Sequence, residues 1–257
     1  MTTDPQTAPN DPLPPPEQKA VYVRELFGSI ARRYDLMNRL MTAGRDRAWR
    51  RYAVTQALNQ DSSVASHVTG HAPPLVLDVA TGTGDFAFEV LEQQPRAQVA
   101  GLDFVPQMLA LAQEKAAKAG VQPGWTAGDA LCLPFPSATF DAVVTGFALR
   151  NVTDIPAAFA EMARVTRPGG RVACLEIAKP RTPLFRQLFA LYFYRFVPIV
   201  GELVTGQRSA YTYLPHSLTA FLTPDEIVEV MGQTGWREVR YRRLMLGTVA
   251  VHVGVRA

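Results

Sequence analysis

The sequence lacks the features that mark secreted, metal-binding and nucleic-acid-binding proteins. Its 257 residues contain two cysteines, Cys132 and Cys174, and their separation matches no metal-ligand motif. A disulfide-dependent fold is therefore not expected, which fits a reducing cytoplasm. The formal net charge is only +3, and the arginines that supply most of the positive charge are dispersed along the chain. This charge distribution gives no reason to expect nucleic acid as a partner.

Long apolar runs, a targeting signal and a metal-ligand set are also missing. In the most aromatic segment the longest uninterrupted apolar run is Leu188–Tyr194, which is far too short to span a bilayer. The N-terminus has neither a basic start nor an apolar stretch, so we expect no secretory signal. His67 and His71 are four residues apart, but no acidic or thiol partners accompany them as further metal ligands. We therefore expect a surface loop over residues 59–74 and no metal site.

The overall composition is typical of a globular protein whose N-terminal tail is disordered. Apolar residues make up 47% of the chain and charged residues 19%, so a substantial core can form. Prolines crowd residues 1–16, where they exclude helix and sheet and predict a disordered tail. Residues 17–257 are expected to form a single domain. Within it, helical periodicity predicts an N-terminal helical cap over residues 17–58 and a helical lid over residues 181–219.

The chain is organised around the stretch Leu75–Phe86. A short apolar strand that contains Asp78 is followed by Gly82-Thr-Gly84 and by a helical pattern that begins at Asp85. Glycine tolerates positive φ and lacks a Cβ, so such a turn lets backbone N–H groups surround an anion at the carboxyl edge of a sheet. The turn alone is a weak signal, because dinucleotide-binding enzymes share it.

Further signals follow the glycine turn in order and narrow the prediction. The next strand ends in Asp103, 25 residues after Asp78, where a carboxylate would hold a ribose diol. Asp129 follows a third short strand and is placed to meet an adenine edge. Two more strands are predicted over Asp141–Thr145 and Arg171–Ile177. This ordered set is typical of class I S-adenosylmethionine-dependent methyltransferases rather than of nicotinamide enzymes.

The predicted fold is therefore an α/β doubly wound sheet of seven strands, mostly parallel, with an antiparallel last strand. Trp236–Leu244 and Gly247–Val255 alternate as expected for the closing antiparallel pair. The aromatic segment 184–200 admits two interpretations, a helix buried against the sheet or an apolar lid flanked by Arg186 and Arg195. We favour the lid, because the segment follows the fifth strand and so lies beside the active edge of the sheet.

Three motifs resemble those of the ubiquinone/menaquinone biosynthesis C-methyltransferases: Tyr34–Asn38, Asp78–Asp85 and Leu149–Asp154. The resemblance extends over about residues 20–255. Arg167-Pro-Gly-Gly170, interpreted as a tight turn into the fifth strand, is shared by many methyltransferases. The resemblance implies C-methylation of a polyprenylated quinol, most often 2-demethylmenaquinol to menaquinol, with S-adenosylmethionine as the cofactor.

Other functions stay open at this point. The acceptor could be a benzoquinol precursor of ubiquinone, or another lipophilic or phenolic molecule, because acceptor pockets diverge faster than cofactor sites. A module that binds S-adenosylmethionine without turnover is a third alternative. The intact cofactor residues and the aromatic segment argue against that alternative.

The resemblance also implies a set of cofactor-binding residues. Thr83, Asp103, Asp129 and Ala130 are expected to contact S-adenosylmethionine. The rest of the expected set is Asp78, Gly82, Gly84 and Gly146. The family often has Ser or Thr where this chain has Gly146, so only a backbone contact is expected there.

The chemistry requires little acid–base catalysis, because the sulfonium of S-adenosylmethionine is already activated and the enzyme must mainly align the methyl group and exclude water. Deprotonating a quinol hydroxyl would increase electron density at the ring carbon. Tyr34, Arg150 and Asn151 are the candidate catalytic residues. Arg150 would favour the phenolate, while Tyr34 or Asn151 would hold the hydroxyl or a water. A salt bridge and turn at a helix entry is an equally good interpretation of Arg150 and Asn151.

The prenyl tail of such a substrate requires an apolar wall, and segment 184–200 is the candidate. Because that tail lies in the bilayer, we expect a cytoplasmic protein with transient contact at the inner face of the cell membrane. A homodimer stays an open alternative.

Overall fold

The computed structural model describes residues 14–58, 73–205, 208–219 and 221–257. Most of the proline-rich tail and most of the predicted loop 59–74, with His67 and His71, lie outside the described residues.

The strands form one seven-stranded sheet in the order β3-β2-β1-β4-β5-β7-β6. They are β1 (Leu75–Val79), β2 (Gln98–Asp103), β3 (Gly124–Ala127), β4 (Phe140–Gly146), β5 (Thr166–Ile177), β6 (Trp236–Leu244) and β7 (Val249–Arg256). The pairs from β3 through to β5 are parallel, and β7 runs antiparallel to both β5 and β6. The predicted fold class is confirmed.

Helices cover both faces of this sheet. They are α1 (Lys19–Thr42), α2 (Asp46–Leu58), α3 (Asp85–Gln93), α4 (Pro106–Ala119), α5 (Ile155–Val165), α6 (Pro183–Leu191), α7 (Val197–Thr205), α8 (Arg208–Thr219) and α9 (Pro224–Gln233). A π-helical turn, Tyr192–Phe196, joins α6 to α7, and a 3-10 turn, Leu149–Asn151, follows β4.

Alternate residues of the central strands enter two different cores, because successive side chains of a strand point to opposite faces. Leu77 and Val143 belong to the core shared with α1, α5 and α9. Val76 and Val144 belong to the core shared with α2 and α3. Since both faces are covered, β1 and β4 are apolar throughout, apart from Asp78 and Thr145 near the carboxyl edge and Asp141 at the start of β4.

The segment Arg167–Gly170 differs from its prediction as a simple turn before the fifth strand. Strand β5 already begins at Thr166, which pairs with Phe140, and the next pair in the ladder is Ala142 with Arg171. The four intervening residues therefore bulge out of the ladder. Gly169 has a φ of +81° at the bulge, a conformation that glycine adopts without a steric penalty.

The aromatic segment forms a nearly continuous helix that has one buried and one exposed side. Phe193 and Val197 are buried in the core shared with α1, whereas the outer side chains of α6 and α7 are exposed. Arg33 Nη1 donates to Val204 O at 2.8 Å, and the Tyr192 hydroxyl donates to Met41 O at 2.9 Å. These bonds hold the segment along α1.

By length and composition, Pro183–Val204 could also cross a membrane. The expectation from the sequence considered only the uninterrupted apolar run, which ends at Gln187 on one side and at Arg195 on the other. The helix continues through both of these residues, so the apolar segment is longer than that expectation allowed.

Candidate active site

Two cavities meet at the carboxyl edge of the sheet, and Tyr34 and Phe147 line both of them. The first, the sheet-edge cavity, lies over the ends of β1 to β4. Its lining includes Gly82, Asp103, Asp129, Ala130, Gly146 and Asn151. The second, the apolar cavity, lies between α1, the start of α2 and the aromatic segment. It has a volume of about 460 Å³, and its lining includes Asn38, Asp46, Arg150, Phe189, Tyr192 and Phe193.

Asp103 is held in place by the turns around it. One carboxylate oxygen accepts the Gly82 N–H at 2.7 Å, and the other accepts the Val105 N–H at 2.8 Å. Burial raises the pKa of this carboxyl, while the backbone donors lower it. The carboxylate thus lies at a defined position on the wall of the sheet-edge cavity, with lone pairs left to accept hydroxyl groups.

Asp129 and Ala130 also line the sheet-edge cavity and lie after β3, the strand next to β2. The Asp129 carboxylate accepts the Leu131 N–H at 2.9 Å, and the residue is otherwise exposed. The structure therefore brings Gly82, Asp103, Asp129 and Ala130 to one cavity, although they lie on three separate turns.

Three of the predicted cofactor residues lie beneath this cavity rather than on its wall. Asp78 is fully buried and accepts hydrogen bonds from the Thr81 hydroxyl and the Ala87 N–H. Burial raises its pKa to about 7. The Thr83 hydroxyl lies 2.6 Å from Asp35 Oδ1. A Cβ on Gly84 would lie 2.8 Å from the Trp125 ring. These residues shape the turn, and their side chains do not line the cavity.

Gly146 does line the sheet-edge cavity, and its lack of a side chain has a visible cause. A Cβ at this position would overlap the ring of Phe86. Phe86 is buried in α3 and occupies the space that a Ser or Thr side chain would need. The Phe86 ring therefore leaves no room for a hydroxyl-bearing side chain at position 146.

Arg150 is the buried partner of Glu176. Glu176 Oε1 accepts the Ala148 and Leu149 N–H groups, each at 2.7 Å, and Arg150 Nη1 lies 3.6 Å from Glu176 Oε2. Arg150 also donates to Phe147 O at 2.6 Å. The side chain of Arg150 is 5% exposed and that of Glu176 is 1% exposed. The structure therefore contains a salt bridge of Arg150, as one of the two interpretations expects. Arg150 also lines the apolar cavity.

Tyr34 lies where the two cavities meet, and Asn151 lines the sheet-edge cavity. Burial raises the pKa of Tyr34, and the nearby Asn38 amide and the guanidinium groups of Arg150 and Arg50 lower it. The Asn151 side-chain oxygen is buried, and no other described residue donates a hydrogen bond to it. Tyr34 is therefore suited to donate a hydrogen bond rather than to remove a proton.

A polar network beneath the glycine turn was not predicted. Lys115 Nζ lies 3.0 Å from Asp35 Oδ2, 3.1 Å from Thr83 Oγ1 and 2.6 Å from Asp85 Oδ1. Asp85 is in turn 3.3 Å from Arg50 Nη2. The network joins α1, α2, α3 and α4 to the turn. Its members are up to 80 residues apart in sequence, so no local pattern could reveal it.

Known proteins are similar to this chain over nearly its whole length. The model of the ubiE/COQ5 methyltransferase family matches residues 16–256. A demethylmenaquinone methyltransferase from Roseiflexus castenholzii is 46% identical over 95% of this chain and 97% of its own length. A protein of the same name from Deinococcus radiodurans is 46% identical over 95% of this chain and 96% of its own length.

Solved structures show the same fold at low sequence identity. A magnesium protoporphyrin IX methyltransferase from Synechocystis, with bound SAH, has a TM-score of 0.58 and 21% identity, and the match covers 92% of this chain and 99% of that one. The [4+2]-cyclase SpnF has a TM-score of 0.64 and 14% identity, and the match covers 91% and 94%. Because the names indicate different reactions, the fold alone does not define the substrate.

The family model extends over nearly the whole chain, and each of the two relatives matches 95% of it. The predictions of a methyltransferase and of S-adenosylmethionine as its cofactor are confirmed. The chain belongs to the ubiE/COQ5 methyltransferase family.

Proposed function

We propose that the protein methylates a ring carbon of a polyprenylated quinol, converting 2-demethylmenaquinol to menaquinol. The observation that carries this proposal is the meeting of two cavities of different character at Tyr34 and Phe147. One contains a fixed carboxylate at the sheet edge, and the other is lined mainly by apolar and aromatic side chains. The names of the most similar relatives support the same reaction.

The sheet-edge cavity fits S-adenosylmethionine. Asp103 presents carboxylate lone pairs for a ribose diol, and Asp129 is exposed where an adenine edge would lie. The Asn151 oxygen is buried without a donor from the described residues, so it can accept a hydrogen bond from a bound molecule. The bound cofactor supplies an activated methyl group on a sulfonium.

The apolar cavity fits an aromatic acceptor with a long apolar substituent. Its volume of about 460 Å³ lies within the range of small-molecule sites. Phe189, Tyr192 and Phe193 form one wall, and the Phe189 and Phe193 ring centroids are 4.6 Å apart. Such a wall contacts a prenyl tail without leaving polar groups unpaired.

The polar groups at the junction position the acceptor. We propose that Tyr34 donates a hydrogen bond to an acceptor oxygen, because burial raises its pKa and keeps the hydroxyl protonated. Arg150 places positive charge near that oxygen and so favours the phenolate form. Asn151 orients groups on the cofactor side, since it lines the sheet-edge cavity.

The outer side of the aromatic segment supports contact with the inner face of the cell membrane by a cytoplasmic protein. Leu184 is 69% exposed, Leu191 60% and Leu203 81%. Arg186 and Arg195 are also exposed. Apolar side chains flanked by arginines are typical of helices that lie in a membrane interface. A homodimer that buries the same side chains is the alternative.

The direct test is a methyl-transfer assay with the purified protein, S-adenosylmethionine and a short-tailed 2-demethylmenaquinol. We expect a product that is heavier by one methyl group, with the methyl on the ring carbon by fragmentation mass spectrometry. A benzoquinol precursor and a simple phenol are assayed in parallel. Turnover of either one in place of the naphthoquinol would assign the acceptor to the alternative class, and binding of S-adenosylmethionine without any turnover would support a binding module.

A further inference from the structure

The reaction proposed above requires a group that accepts the proton of the acceptor hydroxyl. Tyr34 is poorly suited, because burial raises its pKa, and the guanidinium of Arg150 and the amide of Asn151 have no basic lone pair at neutral pH. Among the described residues that line the apolar cavity, Asp46 carries the one carboxylate.

We propose that Asp46 is the catalytic base that accepts the hydroxyl proton of the acceptor. It is the first residue of α2, where the helix begins beside the apolar cavity, and the residue is 3% exposed.

Arg50 pairs with the Asp46 carboxylate and also lies near Phe147, at the junction of the two cavities. The Arg50 guanidinium contacts Asp46 Oδ2 and lies 3.3 Å from Asp85 Oδ2. Its Cζ lies 6.0 Å from the centroid of the Phe147 ring, which lines both cavities. Arg50 is also close enough to Tyr34 to lower the pKa of its hydroxyl. Asp46 and Tyr34 both line the apolar cavity, and Arg50 lies near each of them.

Thr42 allows Asp46 to exist in both protonation states. The Thr42 hydroxyl lies 2.9 Å from Asp46 Oδ1 and 2.7 Å from Asn38 O. When Asp46 is a carboxylate, the hydroxyl donates to it. When Asp46 is protonated, the carboxyl donates to Thr42 Oγ1 and the hydroxyl turns to Asn38 O. Neither state leaves a buried donor unpaired.

The step balances as a proton transfer followed by carbon–carbon bond formation. The O–H bond of the acceptor breaks and its proton moves to Asp46, so the remaining electron pair on oxygen makes the ring carbon more nucleophilic. The ring carbon then forms a C–C bond with the methyl group, while the bond between the methyl group and sulfur breaks. The ring then loses the proton of the methylated carbon and the oxygen regains one, so that one proton leaves per turnover.

This inference rests on the proposed function. The test compares the kinetic and binding constants of the Asp46→Asn variant with those of the wild-type protein. Asn keeps the size of the side chain and an acceptor for Thr42, while Arg50 keeps Asp85 as its partner. We expect kcat to fall about 100-fold or more, with the Kd of S-adenosylmethionine and the KM of the short-tailed demethylmenaquinol within threefold of wild type. The rate of the variant should rise with pH, because solvent then supplies the phenolate. Asp46→Glu should recover part of kcat, and formate should partly restore Asp46→Ala.

Either of two results would overturn the role of Asp46. One is an Asp46→Asn protein whose kcat stays within twofold of wild type. The other is a loss of kcat that neither high pH nor formate relieves and that is accompanied by weaker binding of S-adenosylmethionine, as expected for a purely structural residue. A wild-type protein that methylates no quinol would instead contradict the proposed function, so the two failures are distinguishable.

Discussion

At the scale of single residues, the structure explains why this chain has glycine at position 146. The Phe86 ring fills the volume behind Gly146, so the two positions form one packing unit. The missing hydroxyl at position 146 is apparent from the sequence but the Phe86 ring behind it is not, because the two residues are 60 positions apart and no sequence pattern connects them.

Gly146→Ser should destabilise the protein by about 1–3 kcal/mol through overpacking against Phe86. The change should also weaken S-adenosylmethionine binding, because Gly146 lines the sheet-edge cavity. Urea unfolding and calorimetric titration measure the two effects. Adding Phe86→Leu should restore most of the stability. If Gly146→Ser alone is as stable as wild type, the steric explanation is incorrect.

The two interpretations of Arg150 can be separated by removing its partner as well. Arg150→Ala leaves Glu176 buried and unpaired, which should cost about 3–5 kcal/mol of unfolding free energy and lower kcat at least tenfold. The double variant Arg150→Met/Glu176→Gln has no buried charge at this pair, so its stability should recover. Recovery of stability without recovery of kcat indicates that Arg150 acts on the acceptor. Recovery of both would limit Arg150 to the salt bridge.

At the scale of secondary-structure elements, most of the fold could be predicted from the sequence. The strands β4, β6 and β7 lie close to their predicted bounds, because the apolar pattern of a strand is a local signal. The bulge at Arg167–Gly170 was not predicted, since it depends on pairing with β4. The network of Asp35, Lys115 and Asp85 depends in the same way on helices that meet only after folding.

The proposed membrane contact belongs to one element, the aromatic segment. Leu184→Glu with Leu191→Glu should lower the partition of the protein onto vesicles of phosphatidylcholine and phosphatidylglycerol by about 100-fold, because two leucines lose their apolar contact. Vesicle flotation measures this partition.

The matched control is Val21→Glu, an exposed apolar position on α1 outside the aromatic segment. This variant should float like wild type. If wild-type protein stays in solution and light scattering shows a dimer that the double variant loses, the exposed side is a subunit contact rather than a membrane contact.

At the scale of the whole molecule, two buried groups give the stability opposite dependences on pH. Burial lowers the pKa of His252 to about 4. Its imidazole therefore stays neutral in the fold, and its contribution is complete above the unfolded pKa and is lost as the pH falls. Asp78 has a pKa of about 7 in the fold, so its contribution is complete at low pH and is lost as the pH rises.

His252→Gln should isolate the first of these effects. Between about pH 7.5 and about pH 5, wild type should lose about 2 kcal/mol of unfolding free energy relative to the variant. Gln can still donate to Pro224 O, the hydrogen-bond partner of His252. Urea unfolding of both proteins at the two pH values gives the difference. Parallel pH dependences would show that His252 does not titrate in this range.

In the proposed function, the cofactor bound in the sheet-edge cavity supplies the methyl group for a quinol. The most direct measurement is mass spectrometry of the quinones in cells that lack this gene, with and without its return. We predict that demethylmenaquinone accumulates, that the wild-type gene restores menaquinone, and that Asp103→Ala, which loses the carboxylate between Gly82 and Val105, does not. An unchanged quinone profile in the deletion strain would contradict the proposed substrate, and full restoration by Asp103→Ala would contradict the proposed cofactor site.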